Sequence, residues 1–333
     1  MMRRDAPLIH LARCFVAAAG ICLAFAVQAA VESPDAVIVV GAPGEPAYAD
    51  AFDRQLKSWK AAFARAGEGR VIIIGKTDPL PAENDLKRVQ VAITEAAGVA
   101  DRELWIVLIG HGTFDGKEAW FNLNGPDLSA SELANWAKPL KRPTAVIAGT
   151  SSSAPFLARL SAPNRVVVVA TRSGYEQNYA RFGGYFSESV ADPSADLDRD
   201  GQTSLLEAFL SASHRTAEFY RSEGRLATEH ALIDDNGDGL GTPADWFRGT
   251  RASRKAEGGK TLDGTRARQW HLVRSAEEAA WTRDRRARRD ALESEIEALR
   301  DSKSSLPEAE YWKRLESLLL ELARIYDPSG NAT

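Results

Sequence analysis

The run Leu104-Trp105-Ile106-Val107-Leu108-Ile109-Gly110-His111-Gly112 holds six apolar residues without a polar interruption, then a histidine between two glycines. An apolar block of that length, closed by glycine, suits a strand buried on both faces of a parallel sheet. Blocks of the same kind recur as VIVV at 37–40, VIII at 71–74, AVIA at 145–148 and VVVVA at 166–170. Between them lie helical patterns. Residues 52–66 place Phe52, Leu56, Trp59 and Phe63 on one face, and residues 85–97 form the next helix. A short extended piece is expected at 120–123. Ser129 and Glu132 then make a capping box that opens a helix through Trp136, and a further short helix is expected near 155–161. This alternation predicts an α/β fold: a doubly wound, mostly parallel sheet with helices on both faces. The turn Gly41-Ala42-Pro43-Gly44 after the first strand lacks the GxGxxG pattern, which argues against a dinucleotide-binding version.

The amino terminus has a different character. Arg3 and Arg4 precede an apolar run from Cys14 to Val27, followed by Gln28-Ala29-Ala30. Residues 1–30 therefore read as a secretory signal peptide, because the apolar run is short for a membrane span and ends in small residues. The expectation is a protein secreted across the inner membrane, periplasmic or extracellular, and not membrane-embedded once the signal is removed. Ile21 before Cys22 is too bulky for a lipoprotein signal. The only two cysteines, Cys14 and Cys22, lie inside the signal, so the remaining chain has no thiol for a disulfide, a metal or nucleophilic catalysis. The net charge of −4 becomes −6 without residues 1–30, which carry Arg3, Arg4 and Arg13 against Asp5. A mildly acidic chain gives no reason to expect nucleic acid.

Residues 31–248 form the α/β domain in this reading, and 249–274, rich in Gly, Arg, Lys and Thr, form a linker. Residues 275–327 read as a coiled-coil-like helical hairpin. Leu292, Ile296 and Leu299 share one helical face, and Leu315, Leu318, Leu322 and Ile325 share another across a polar turn at Ser304-Ser305 and Pro307. Packing on its own body is the favoured role, with self-association through the hairpin as the alternative. The basic run at 283–289 reads as a solvated helix face or a docking patch.

Two acidic loops look like calcium sites. In residues 196–207 Asp196, Asp198 and Asp200 stand at positions one, three and five of an EF-hand loop, with Gly201 at the sharp turn. Gln202 would offer a carbonyl, Ser204 stands at position nine, and Glu207 could close the shell. A hard cation wanting six to eight oxygens explains this density of carboxylates, which otherwise repel one another. A second loop repeats the spacing with Asp234, Asn236, Asp238, the carbonyl of Leu240, and Asp245. There Asp replaces the longer Glu and Pro243 blocks a regular exit helix, so a Gly-rich turn competes with an occupied site. One or two structural Ca2+ sites are expected.

In an open parallel sheet, function gathers outside the carboxyl ends of the strands. Three ends stand out: Gly110-His111-Gly112, Gly149-Thr150-Ser151-Ser152-Ser153, and Thr171-Arg172-Ser173-Gly174-Tyr175-Glu176. A His-Gly at one strand end, with a nucleophile position about 40 residues later at the next, resembles the legumain-like and caspase-like cysteine peptidases, in their bacterial secreted branch. The strand series and the ending ATRSGYEQNYARF are similar too, over roughly residues 36–248.

The resemblance implies a caspase-like sheet, with His111 as the base and a nucleophile at Thr150. A one-residue slip would move that position to Gly149 or Ser151. No register supplies a cysteine. A thiol with a reference pKa of ~8.5 forms a thiolate beside an imidazole, whereas a hydroxyl needs a base that is itself oriented. Asp115 and Glu118 are the nearby candidates for that orienting role. Arg172, Ser173 and Glu176 would line a substrate cleft, with Arg172 either receiving an acidic group or pairing with Glu176.

Three readings follow. The first is a peptidase homologue without cysteine-peptidase activity, a pseudoenzyme stabilised by calcium that binds a peptide or protein ligand. The second is an active hydrolase using Thr150, Ser151 or Ser152 with His111. The third is a calcium-binding scaffold that works through its hairpin.

Overall fold

The computed structural model describes residues 33–67, 69–76, 83–100, 102–259 and 261–327; the signal peptide expected at 1–30 lies outside them. Each apolar block of the sequence is a strand. The chain runs β1 (Asp35–Val40), α1 (Pro46–Ala66), β2 (Val71–Ile74), α2 (Asp85–Ala96) and β3 (Leu104–Ile109). A small antiparallel sheet follows, β4 (Gly112–Phe114), β5 (Ala119–Phe121) and β6 (Leu128–Ser129), where the sequence had signalled only one extended piece. Then come α3 (Ala130–Ala137), β7 (Thr144–Ala148), α4 (Ala154–Leu160), β8 (Arg165–Val169), α5 (Phe182–Ser189) and α6 (Leu205–Ser222). The capping box expected at Ser129 and Glu132 opens α3, and Ser204 with Glu207 makes another at the start of α6. The main sheet closes with β9 (Leu232–Asp234) and β10 (Thr242–Pro243).

The seven strands lie in the order β10-β9-β8-β7-β3-β1-β2. β2, β1, β3, β7 and β8 are parallel, β9 runs antiparallel to β8, and the edge strand β10 is antiparallel to β9 in turn. Alternate residues of each strand enter opposite layers, as a two-residue repeat dictates. Ile38, Val107, Ile147 and Val168 meet α1, α5 and α6 through Phe52, Trp59, Phe186 and Phe209. Val39, Ile106, Val146 and Val167 meet α2, α3 and α4 through Ile93, Leu133 and Phe156. Helices on both faces of a mostly parallel sheet are the architecture predicted above. One block departs from expectation: β2 is the sheet edge, so its Val71 is exposed although it reads as a buried strand.

The segment 249–274 is not a loose linker. β11 (Phe247–Arg248) and β12 (Arg251–Ala252) form a short hairpin, and α7 (Thr265–Gln269) follows. Ala267, Trp270 and Leu272 enter the same core as α1 and α6. The Trp270 indole donates to Glu103 Oε2 at 3.0 Å. Composition marked this stretch as polar because its buried residues are few, yet those few insert fully.

α8 (Ala276–Ala279), α9 (Arg283–Asp301) and α10 (Glu308–Tyr326) complete the chain. α9 and α10 form the predicted hairpin, closed by Ile296, Leu299, Tyr311 and Leu315. α9 docks on the body, with Arg251 and Arg268 pairing to Glu297. The basic run at 283–289 is mostly exposed, as a solvated helix face would be, with Arg289 alone buried. Arg285 donates to the Ile325 carbonyl at the end of α10, Arg288 pairs with Glu321, and Arg289 forms a buried pair with Glu278. No helix among the described residues is long and apolar enough to cross a membrane.

Candidate functional site

The ends of β1, β3, β7 and β8 meet on one edge of the sheet. The chain leaves β1 toward β2 on one side, while β3 lies on the other, which makes a crevice at the reversal of strand order. His111 sits there, at the end of β3. Asn122 of the small sheet donates its N–H to the His111 carbonyl at 3.0 Å, which fixes the backbone. The ring Nε2 stands 3.3 Å from the Pro43 carbonyl in the turn after β1. A carbonyl only accepts, so Nε2 carries the proton and Nδ1 keeps its lone pair. Tyr48, Phe52 and Tyr179 surround the ring edge-on, with centroids 4.6, 5.2 and 5.9 Å away. Burial holds this imidazole below the ordinary histidine value, against the pull of the Pro43 carbonyl and the Glu45 charge. His111 is therefore neutral at pH 7 and half-buried.

The hydroxyl cluster at the end of β7 is folded inward. Thr150, Ser151 and Ser152 are 1, 3 and 0 % exposed. Thr150 donates to the Ser151 carbonyl at 3.2 Å. Ser151 Oγ accepts from the Gly112 N–H and donates to the Gly112 carbonyl, both at 3.2 Å. Ser153 Oγ accepts from the Ala170 N–H at 3.0 Å, and Thr171 Oγ1 accepts from Ala154 at the start of α4. Ser152 has a left-handed backbone, φ 54°, its N–H donates to the Glu176 carbonyl at 2.9 Å, and its buried hydroxyl has no partner among the described residues. Close backbone approach fixes this arrangement. A Cβ on Gly112 would lie 2.3 Å from the Ser151 carbonyl oxygen, and one on Gly149 would lie 2.7 Å from Gly183 Cα.

The fold thus brings Ser151, not Thr150, against the His-Gly strand end, one position along from the register implied by resemblance. Among the described residues no hydrogen bond joins His111 to any hydroxyl of 150–153. Asp115 and Glu118 do not orient His111 either. Asp115 accepts from the Lys117 and Glu118 amides at 2.8 Å, and Glu118 accepts from Ser131.

At the end of β8, Arg172 is exposed and pairs with Glu176 at 3.3 Å, so it is not a buried anchor for an acidic group. Ser173 Oγ accepts from the Tyr175 N–H at 3.1 Å. Glu176 pairs with Arg172 as the sequence suggested, and it is also a hub for a contact that the sequence did not signal. It also takes the His230 ring Nδ1 at 2.6 Å and the His230 N–H at 3.1 Å. His230 lies 54 residues away on the approach to β9, so only the sheet topology joins this pair.

The first acidic loop has the expected shape. Asp196, Asp198 and Glu207 bring carboxylate oxygens within 4.8 Å of one another. Gly201 turns at φ 89° and donates its N–H to Asp196 at 3.0 Å. Burial, then the charges of Glu207, Asp200 and Asp196, push the Asp198 carboxyl up to about 6. Ser204 caps α6 through the Glu207 N–H, while Asp200 receives the Gln202 amide. Gln202 Oε1 in turn accepts from the Ser275 N–H at 2.9 Å, tying the loop to the carboxyl-terminal segment.

In the second loop Asp234 accepts from Gly237 and Gly239 at 2.9 Å, as Asp196 does from Gly201. Asn236 and Asp238 accept from the Asp238 and Leu240 amides. Asp245 is exposed in a short 3-10 turn, and among the described residues this loop gathers no three-carboxylate cluster. Its base is held instead by Asp263, which lies 18 residues beyond Asp245 in the chain and accepts from the Asp235 and Asn236 amides and the Thr242 hydroxyl. Burial, then the Asp235 charge, push the Asp263 carboxyl up to about 8.

No protein-family model matches this sequence, and no curated protein is similar to it. Among solved structures the chain is similar to the Drosophila initiator caspase Dronc, with a TM-score of 0.41 at 12% identity over 70% of this chain and 91% of that one. It is also similar to caspase-1 from Spodoptera frugiperda, with a TM-score of 0.39 at 12% identity over 61% of this chain and 87% of that one. At such identities nothing of either caspase's chemistry carries over.

Proposed function

We propose that this chain is a non-catalytic, peptidase-like protein that uses the strand ends around His111 to bind a peptide or protein ligand, with calcium stabilising the loop before α6. The observation that supports it best is the burial of all three candidate nucleophiles. A nucleophile must reach its substrate and pass its proton to a base, and here each side-chain hydroxyl is enclosed while the His111 Nε2–H is directed to Pro43. Neither Asp115 nor Glu118 stands behind His111, and among the described residues no carboxylate hydrogen-bonds its ring as the orienting acid of a hydroxyl nucleophile would. The calcium part rests on the Asp196, Asp198 and Glu207 trio.

One observation favours a second reading, an active hydrolase. Ser151 Oγ lies against the Gly112 amide, the strand end that carries His111. A small shift of the 150–153 turn would open this hydroxyl to the His111 side. A covalent serine-hydrolase probe separates the two readings. No labelling is expected for the natural chain. Labelling that vanishes in both Ser151→Ala and His111→Ala would establish the hydrolase instead.

A further inference from the structure

A cavity of about 570 Å³ opens between α1, the stretch leading into α5, and the far end of α6. Small-ligand sites typically occupy ~300–1,000 Å³. Three arginines line this one: Arg54 on α1, Arg181 just before α5, and Arg225 after α6. Some arginines of the chain are matched to carboxylates, as Arg142 is to Asp35 and Arg274 to Glu103, and others to backbone carbonyls, as Arg165 is to Leu160 and Ala137. Arg54, Arg181 and Arg225 make no ion pair among the described residues.

Three acids close to the cavity have partners of their own. Glu188, in the cavity wall, pairs with Arg215, and Asp53 pairs with Lys76 at 2.7 Å. The buried Glu229 accepts from the Arg181 and Phe182 amides and from the Tyr220 hydroxyl, and it offsets Arg181 only at longer range. Three such cations around one cavity make it a region of positive potential in a chain of net charge −4, a match for an anionic ligand.

The walls are preorganised. The Arg181 guanidinium stacks 4.1 Å over the Phe219 ring and 5.7 Å from the Tyr179 ring, which limits its motion. Tyr48 and Tyr179 stand 4.9 Å apart as an aromatic side wall. A held guanidinium presents paired N–H donors that match carboxylate or phosphate oxygens.

We infer that this cavity binds a small organic polyanion carrying two or more carboxylate or phosphate groups. Arg54, Arg181 and Arg225 take the oxyanions, and Tyr48 and Tyr179 flank the body of the ligand. The same two tyrosines touch the His111 ring, so the ligand lies one aromatic layer from His111. This site is independent of whether any hydroxyl of 150–153 is reactive and of the calcium loop.

Calorimetric titration of the purified chain with pyrophosphate and with citrate, at low ionic strength, is the test. Saturable single-site binding of at least one probe is expected. Arg54→Gln and Arg225→Gln should each weaken it ~tenfold, and the double variant more than either. Tighter binding of pyrophosphate assigns the phosphate source, and tighter binding of citrate the carboxylate. Both side chains are exposed and unpaired, so without probe the variants should melt at the natural chain's temperature or above it. Arg225→Lys, which keeps the charge and loses the fork, should fall between the natural chain and Arg225→Gln. Failure of both probes to bind, or equal binding by the double variant, would overturn the assignment.

Discussion

Gly149 and Gly112 decide which way the hydroxyl turn faces. Both sit where two backbones come closer than a side chain allows, and neither needs an unusual φ to do so. Because Gly183 Cα, not a flexible side chain, opposes Gly149, the neighbour cannot yield cheaply. Gly149→Ala is therefore expected to cost ~1–3 kcal/mol of stability, read as a lower denaturation midpoint at unchanged slope. A midpoint equal to that of the natural chain would mean that the turn and α5 are not in the contact described. Ser151 illustrates the limit of reading residues singly. Four consecutive hydroxyls after a strand look alike in sequence, and only the contact with Gly112 separates Ser151 from Thr150 and Ser152.

At the scale of elements, regular pattern was a good guide and irregular pattern was not. The strands and the principal helices follow from apolar blocks, capping boxes and helical faces, because those depend on near neighbours in the chain. The shape of the first acidic loop was legible for the same reason, since its carboxylates lie within twelve residues and end at a capped helix. Ca2+ bound there, as proposed, would replace carboxylate repulsion with coordination, and the folded state alone would gain from the ion. The melting temperature should fall on adding a chelator and recover with excess Ca2+, and Asp196→Ala with Glu207→Gln should remove the response. A natural chain indifferent to chelator would end the calcium reading. The second loop shows what the spacing missed. Asp245 fits the motif by count but lies exposed, whereas Asp263, outside the motif, holds the loop base.

Across the whole molecule, the carboxyl-terminal segment is joined to the body by polar groups that have lost their water. His271 is wholly enclosed beside Glu278 and Arg289, and burial pushes its imidazole down to about 4. Its neutral form is favoured when folded, so its contribution is present above the unfolded value near 6.5 and is lost as pH falls toward 4. Within that window each pH unit should remove up to ~1.4 kcal/mol, one proton being taken up on unfolding. His271→Gln should flatten the slope of melting temperature against pH between 6.5 and 4, and an unchanged slope would assign it to other groups. The sequence by itself determined the α/β class, the five parallel strands and the helices between them, the acidic loop before α6, and the lack of any thiol after Cys22, but not α5, β9 or β10. These are local properties, fixed by periodicity and composition. The tertiary structure alone decided that the hydroxyls of 150–153 are buried, that Glu176 holds His230, that 249–274 enters the core, and that three arginines share one cavity. Each depends on contacts between residues far apart in the chain, which packing selects and spacing does not encode.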